Sequence, residues 1–257
     1  MVDERIVQEL ARIVGADQVS TDSADRILHA FDATQARFLP EVVVHATTTD
    51  QVSRVVRLAH EHRIPILPRG AGSGFTGGSL PIRGGIVLVL TRMNRILEID
   101  PDNLTATVEP GVVTATLQRE VERLGLFYPP DPASREFSTL GGNIAECAGG
   151  PRCVKYGVTR DYVLGLEVVT ASGEVIHTGG KTMKNVVGYD LTRLFVGSEG
   201  TLGVITEATL HIFNYAPGNT ASAAFIFRSF EAAVEAMRTI IQAECGKPHL
   251  FRISDPD

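Results

Sequence analysis

Pro68-Arg69-Gly70-Ala71-Gly72-Ser73-Gly74-Phe75-Thr76-Gly77-Gly78 carries five glycines in eleven residues. The apolar run at 64–67 just before it reads as a strand, so the glycines form a loop that leaves a strand end. A glycine amide approaches a ligand closely and adopts φ > 0 freely, because no Cβ stands in the way. Successive open amides form a concave nest that attracts anions. The stretch therefore points to a phosphate-bearing cofactor held on a mixed helix-and-strand scaffold.

The flanking sequence supports such a scaffold. Residues 41–46 are a β-rich run. Thr48 with Gln51 is a capping-box pair, opening a helix whose stripe is Val52, Val55, Val56 and Ala59. Residues 42–67 thus read as βαβ. Upstream, Ile6, Leu10, Ile13 and Val14 have helical spacing, and 15–40 reads as loop. Downstream, 85–90 is a buried strand, and 96–99 and 105–109 are a strand pair joined through Pro101-Asp102-Asn103. A helix over 114–124 carries Leu117, Val121 and Leu124 on one face and stops at Gly125. Residues 127–160 are rich in glycine and proline and show no long period, which marks a structureless functional stretch. A hairpin follows at 163–170 and 174–178, then a short helix at 190–195 and a strand at 204–212.

Ala216-Pro217-Gly218-Asn219 is the clearest boundary signal. Beyond it, 221–227 reads as a strand, 230–243 as an amphipathic helix and 250–253 as another strand. A β-α-β opening alone does not bury both its faces. The expected organisation is α+β: an N-terminal helical segment at 1–40, a main domain at 41–216 and the incomplete start of a second domain at 217–257.

Composition narrows the function. At 257 residues, with 44% hydrophobic and 21% charged residues, the chain reads as globular. A net charge of -6 argues against a nucleic-acid surface. No run of 18 apolar residues suggests a membrane span, and the start Met1-Val2-Asp3-Glu4-Arg5 does not resemble a signal peptide, so a cytoplasmic location is expected. Cys147, Cys153 and Cys245 form no CxxC pair, so reduced thiols and no metal site are expected.

Two common phosphate loops fit poorly. Gly72-Ser73-Gly74-Phe75-Thr76-Gly77 matches GxGxxG, with Glu98 about twenty residues on. A nicotinamide-type site needs a helix starting in that loop, whereas here Pro81, Gly84-Gly85 and a strand follow. A Walker loop fails because Val175 stands where the earlier glycine belongs relative to Gly180-Lys181-Thr182. Three further clusters, Gly141-Gly142-Asn143, Gly149-Gly150 and Gly197-Ser198-Glu199-Gly200-Thr201-Leu202-Gly203, suggest an extended ligand met by backbone at several points. FAD has that length.

Five motifs occur in order: Pro68 to Gly74, Thr139-Leu140-Gly141-Gly142-Asn143, Tyr156-Gly157-Val158-Thr159-Arg160-Asp161, Asn185-Val186-Val187-Gly188-Tyr189-Asp190-Leu191, and Gly197 to Gly203. Over about residues 40–216 the chain resembles the FAD-binding domain of the vanillyl-alcohol-oxidase/PCMH flavoproteins, nearest the branch of FAD-linked glycolate oxidase subunits and D-lactate dehydrogenases. The resemblance implies two α+β subdomains with FAD between them, followed by a substrate (cap) domain. It places the pyrophosphate on Pro68, Arg69, Gly70, Ala71, Gly72, Ser73, Gly74, Thr76, Gly77 and Gly78. It places the ribityl chain and flat ring along Pro130, Asp131, Ser134, Thr139, Gly141, Gly142, Asn143, Ala145, Ala148, Gly149 and Gly150, with Gly157 near them. Glu199, Gly200, Gly203, Val204 and Ile205 would meet the adenine half or the ring through backbone. Some relatives attach FAD through a histidine in the first loop; Ser73 aligns there, so noncovalent FAD is expected. The implied reaction is hydride transfer from a small D-2-hydroxy acid to flavin N5, with an electron-acceptor protein or partner subunit. The alternative is a short electron-transfer subunit that borrows its substrate site from a partner chain. The resemblance puts the base and any metal ligands in the cap domain, so no residue here is named as catalytic.

Other polar residues have plainer readings. Arg69 can complement a pyrophosphate or end a strand, and Asn143 can bond the flavin or fix its loop. Glu146 and Glu199 lack a sequence-adjacent carboxylate and do not read as an acid–base pair. His60 and His62 face different ways on a helix. His177 and His211 lie in strands, and Lys181 and Lys184 either face an acidic substrate or belong to a solvated loop, the plainer reading.

Overall fold

The computed structural model describes residues 2–215 and 221–243, together with 248 and 253. Helix α1 (Glu4–Val14) is capped by Asp3, whose side chain accepts from the Ile6 amide, and it buries Ile6, Leu10 and Val14. A 3-10 turn (Ala16–Gln18) leads to strand β1 (Val19–Ser20) and helix α2 (Ser23–Leu28). Residues 15–40 are therefore not all loop. Asp22 caps α2 and β1 pairs at a sheet edge, but both elements are too short to show a period.

Strand β2 (Val42–His45), helix α3 (Thr49–Glu61) and strand β3 (Ile66–Arg69) form the expected βαβ unit. Thr48 caps α3 by accepting from the Gln51 amide, and the Gln51 side chain accepts from the Thr47 amide at 2.8 Å. Strand β4 (Ile86–Val89) then inserts between β2 and β3, parallel to both, giving the order β1-β2-β4-β3.

The second sheet is antiparallel. It contains β5 (Ile96–Asp100), β6 (Thr105–Val108), β8 (Val163–Thr170), β9 (Val175–Gly179) and β10 (Gly203–His211) in the order β5-β6-β10-β8-β9. Helix α4 (Thr114–Glu122) leads to strand β7 (Leu126–Phe127), which pairs with β11 (Phe213–Asn214). The stretch 127–160 is not structureless. It holds helices α5 (Leu140–Glu146) and α6 (Cys153–Tyr156) and a 3-10 turn (Thr159–Asp161), each short and glycine-flanked, which hides them from periodicity. Helix α7 (Leu191–Phe195) precedes the Gly197 loop.

Each sheet has its own core, and the two meet. Val42, Val55, Ile86 and Leu88 pack with α1 in one; Leu117, Tyr128, Ile144 and Leu210 pack in the other. On β8, Val168 joins the second core and its neighbour Val169 joins the first. Ile205 and Val204 divide in the same way on β10. Alternation along these strands therefore fastens the subdomains together.

Helix α8 (Phe230–Gln242) forms as expected, with no buried residue. The expected strand at 221–227 does not form, because no neighbouring strand accepts its backbone bonds among the described residues. The expected strand at 250–253 lies outside the described residues apart from Ile253.

Candidate functional site

Parallel neighbours require a crossover from the end of one strand to the start of the next. Between β3 and β4 that crossover is not a helix but residues 70–85, the glycine loop. Gly72 and Gly77 take φ of 65° and 81°. Among the described residues, no protein acceptor meets the amides of Gly72, Ser73 or Gly74. Arg69 lies beneath them, 5% exposed. Its Nη2 donates to the Phe31 carbonyl at 2.7 Å and its Nη1 to the Ser79 carbonyl at 3.0 Å. Burial lowers the Arg69 pKa and Asp32 opposes that shift, yet a guanidinium stays charged. An open amide nest thus sits over a buried cation.

The second wall is α5. Its cap, Thr139, accepts from the Gly142 amide, and a Cβ on Gly70 would stand 2.2 Å from Thr139 Oγ1. The two loops touch because position 70 has no side chain. Asn143 is buried and its Nδ2 donates to Thr114 Oγ1 at 2.7 Å, while Thr114 Oγ1 donates to the Ser138 carbonyl at 3.1 Å. This fixes the loop that Asn143 belongs to. The third wall docks on the end of α5: the Gly197 amide donates to the Ile144 carbonyl at 3.0 Å, and the Glu199 amide to the Ala145 carbonyl at 2.9 Å. Glu199 and Gly200 both have positive φ, and a Cβ on Gly200 would lie 2.8 Å from Pro68 Cγ.

These loops enclose a cleft of ≈ 340 Å³ between the sheets. Pro68, Arg69, Gly70, Ala71, Gly72, Ser73, Gly74 and Gly78 line one side. Ser134, Thr139, Gly141, Gly142, Asn143, Ala145 and Ala148 line the second, and Glu199, Gly200, Gly203, Val204 and Ile205 the third.

Seven other sequence-predicted residues are not brought to the lining. Thr76 and Gly77 form the outer turn of the loop. The Pro130 carbonyl accepts from Gln118 Nε2 at 2.8 Å. Asp131 accepts from the Arg152 amide at 3.0 Å and pairs with its guanidinium at 3.4 Å; burial raises the Asp131 pKa and Arg152 opposes that. Gly149 lies against Cys153 Sγ, Gly150 against the Asp131 carbonyl and Gly157 against Asp161. These glycines let chain approach chain.

The lining also includes residues that sequence reasoning missed. Phe75 and Ser79 are inside the glycine loop itself. Leu90, Pro110, Ala133 and Ser138 arrive by topology alone. Glu146 is three residues beyond Asn143 on α5, a spacing that shares a helix face and would have been visible had 140–146 been read as helix. Its carboxyl is pushed up from the ordinary range by burial and then by Glu199.

The remaining candidates lie elsewhere. His60 and His62 are exposed at the end of α3. His177 pairs with Glu167 at 3.2 Å, and His211 is buried in β10. Lys181 pairs with Glu98, and Lys184 is exposed. Among the described residues, no group of three or more His, Cys, Asp or Glu is placed to hold a metal ion, and no helix is long and apolar enough to cross a membrane. Cys147 and Cys153 are free thiols.

An amide nest over a cation, continued by apolar and small residues between two sheets, suits a ligand with a pyrophosphate at one part and a flat ring at another. Residues 40–179 match the FAD binding domain family. The chain belongs to that family. FAD is its cofactor, and the open amides and the missing side chains of the cleft fit it. Glycolate oxidase subunit GlcD of Bacillus subtilis is 48% identical over 245 residues, covering 95% of this chain and 52% of the relative. D-lactate dehydrogenase of Anaerostipes hadrus is 44% identical over 201 residues, covering 78% and 41%. The structure of p-cresol methylhydroxylase with substrate bound superposes with a TM-score of 0.74 at 27% identity, covering 82% of this chain and 43% of that one. The chain thus spans about half the length of the curated relatives it matches. The PCMH-type FAD-binding fold, with its two α+β subdomains, is the architecture seen here.

Proposed function

We propose that this chain is the FAD-binding part of a flavin-dependent oxidoreductase that oxidises a small D-2-hydroxy acid of the glycolate or D-lactate type. The carrying observation is the cleft itself, where three loops meet with open amides over Arg69. The names of the glycolate oxidase and D-lactate dehydrogenase relatives support the substrate class. Bound FAD supplies a hydride acceptor for the substrate α-carbon, and the protein binds, orients and shields it. The loop at 68–78 would hold the pyrophosphate. The α5 wall and the 199–205 wall would position the remainder. Thr114 and Ser138 would hold Asn143 in place beside it.

The cofactor is held without a covalent bond in this proposal. No His, Cys or Tyr is among the described residues that line the cleft. The segment 217–257 would begin the cap domain; exposed Phe230, Val234 and Ile241 on α8 support a face that awaits cover. The divisions 1–40 and 41–216 belong to the same proposal. A reducing cytoplasm is the proposed compartment, supported by the two free thiols.

The test is the visible spectrum after incubation with FAD and desalting, followed by acid precipitation. Retained flavin absorbance that passes fully into the supernatant is expected. Flavin left in the precipitate would overturn the noncovalent assignment. Anaerobic addition of D-lactate or glycolate to the FAD-loaded protein carrying its complete cap domain is expected to bleach the bound flavin, and L-lactate to leave it unchanged. Bleaching by neither D-lactate nor glycolate would overturn the substrate class.

A further inference from the structure

The cleft that attracts an anion also contains two carboxylates. Both Glu146 oxygens lie 3.0 Å from Thr76 Oγ1, on the tip of the glycine loop. Glu146 Oε1 is 3.6 Å from where a Cβ would stand on Gly74 and 2.8 Å from that position on Gly78. Glu199 Oε2 is 3.1 Å from the same point on Gly78. The carboxylates therefore converge on the loop whose amides at 72–74 are open. No lysine or arginine pairs with either among the described residues. Asp32, buried and with Oδ2 unbonded, adds a third negative group from the segment before β2. Arg69 at the end of β3 is the facing cation, and two backbone carbonyls already occupy its guanidinium.

A pyrophosphate seated on these amides brings two negative charges beside Glu146. The arrangement tolerates this when one carboxylate becomes neutral. Glu146 is the group already inclined to neutrality, since burial outweighs the Thr76 hydrogen bond that favours its charged form, and Glu199 and Asp32 add to the effect of burial. We propose that FAD binding is coupled to uptake of one proton at Glu146, so that this residue is a carboxylic acid in the FAD-loaded protein. The proton comes from solvent: the Glu146 carboxylate, one proton and FAD combine to give the loaded protein with a neutral Glu146, and no bond to the cofactor forms or breaks. This proposal rests on FAD as the ligand of the cleft.

Calorimetric titration of FAD into the flavin-free chain at pH 7, in two buffers of different ionisation enthalpy, counts the protons. Flavin fluorescence titrations across pH 5.5 to 8.5 give Kd. The expected result is uptake approaching one proton per FAD, with Kd rising about tenfold per pH unit above the Glu146 titration. Glu146→Gln should bind FAD with a flat Kd and no uptake. Glu199→Gln serves as the second variant: removal of the neighbouring charge should move the break in Kd to lower pH. FAD binding without proton uptake, uptake that survives in Glu146→Gln, or an unmoved break in Glu199→Gln would each overturn the proposal while leaving the FAD assignment intact. No FAD binding at any pH would overturn both.

Discussion

At Gly72 a single methyl group would stand 2.2 Å from Arg69 Nη2, on a backbone with φ of 65°. Gly72→Ala would therefore strain the loop by about 1–2 kcal/mol and press the guanidinium off the Phe31 carbonyl. We expect FAD affinity to fall at least tenfold with far-UV circular dichroism unchanged, as read by flavin fluorescence titration. His211 makes a different prediction. It is buried in β10 against Phe213, and burial lowers its pKa. A lowered folded pKa means the unfolded chain binds the proton more readily, so stability is full above the ordinary histidine value and is lost as pH falls through the folded one. Thermal melts should show a declining Tm below about pH 6.5, and His211→Leu should flatten that decline. His45, whose pKa is also lowered by burial, contributes to the same decline.

Among the elements, α5 matters most to the site. It is only seven residues long, too short to hold by propensity alone. Thr139 caps its start, while Gly197 and Glu199 donate to its last carbonyls. Thr139→Ala should cost about 1 kcal/mol in denaturant unfolding and weaken FAD binding, because the same hydroxyl abuts Gly70. Thr139→Ser should restore most of both. Wild-type affinity in Thr139→Ala would mean that α5 is positioned by packing alone. The crossover between β3 and β4 shows the converse case. A loop without a helix makes this connection, and Arg69 at its start braces it by donating to Ser79 within the loop and to Phe31 in the segment before β2.

For the whole molecule, the β8 and β10 strands place neighbouring valines and isoleucines in different cores. The subdomains should then unfold together, and a ligand gripped by both should stabilise both. At free FAD one hundred times Kd, about 2.7 kcal/mol of added stability is expected. Calorimetry should show one transition moving upward as a unit with FAD; two transitions, only one of which moves, would contradict the shared-core argument. The legibility of the molecule varies with the range of the interactions. The glycine loop, the Thr48 cap, the β8–β9 hairpin and the Gly197 loop were readable, since each is specified by residues within a few positions of one another. The helix at 140–146 was not, because its glycines read as loop and its C-terminal end is held by residues far along the chain. The strand expected at 221–227 had the right pattern and, among the described residues, no partner to pair with.

The sequence by itself determined that this chain presents an anion-binding glycine loop on an α+β scaffold, and that its ordered motifs are those of an FAD-binding domain. Glycine spacing and strand periodicity are local properties, so they survive without knowledge of the fold. Only the tertiary structure decided that β4 lies between β2 and β3, that Arg69 backs the loop through two carbonyls, and that Glu146 and Glu199 converge beside it. Those outcomes depend on which distant segments meet. Strand pairing, burial of charge and the juxtaposition of carboxylates are long-range energies, set when the two cores close on each other.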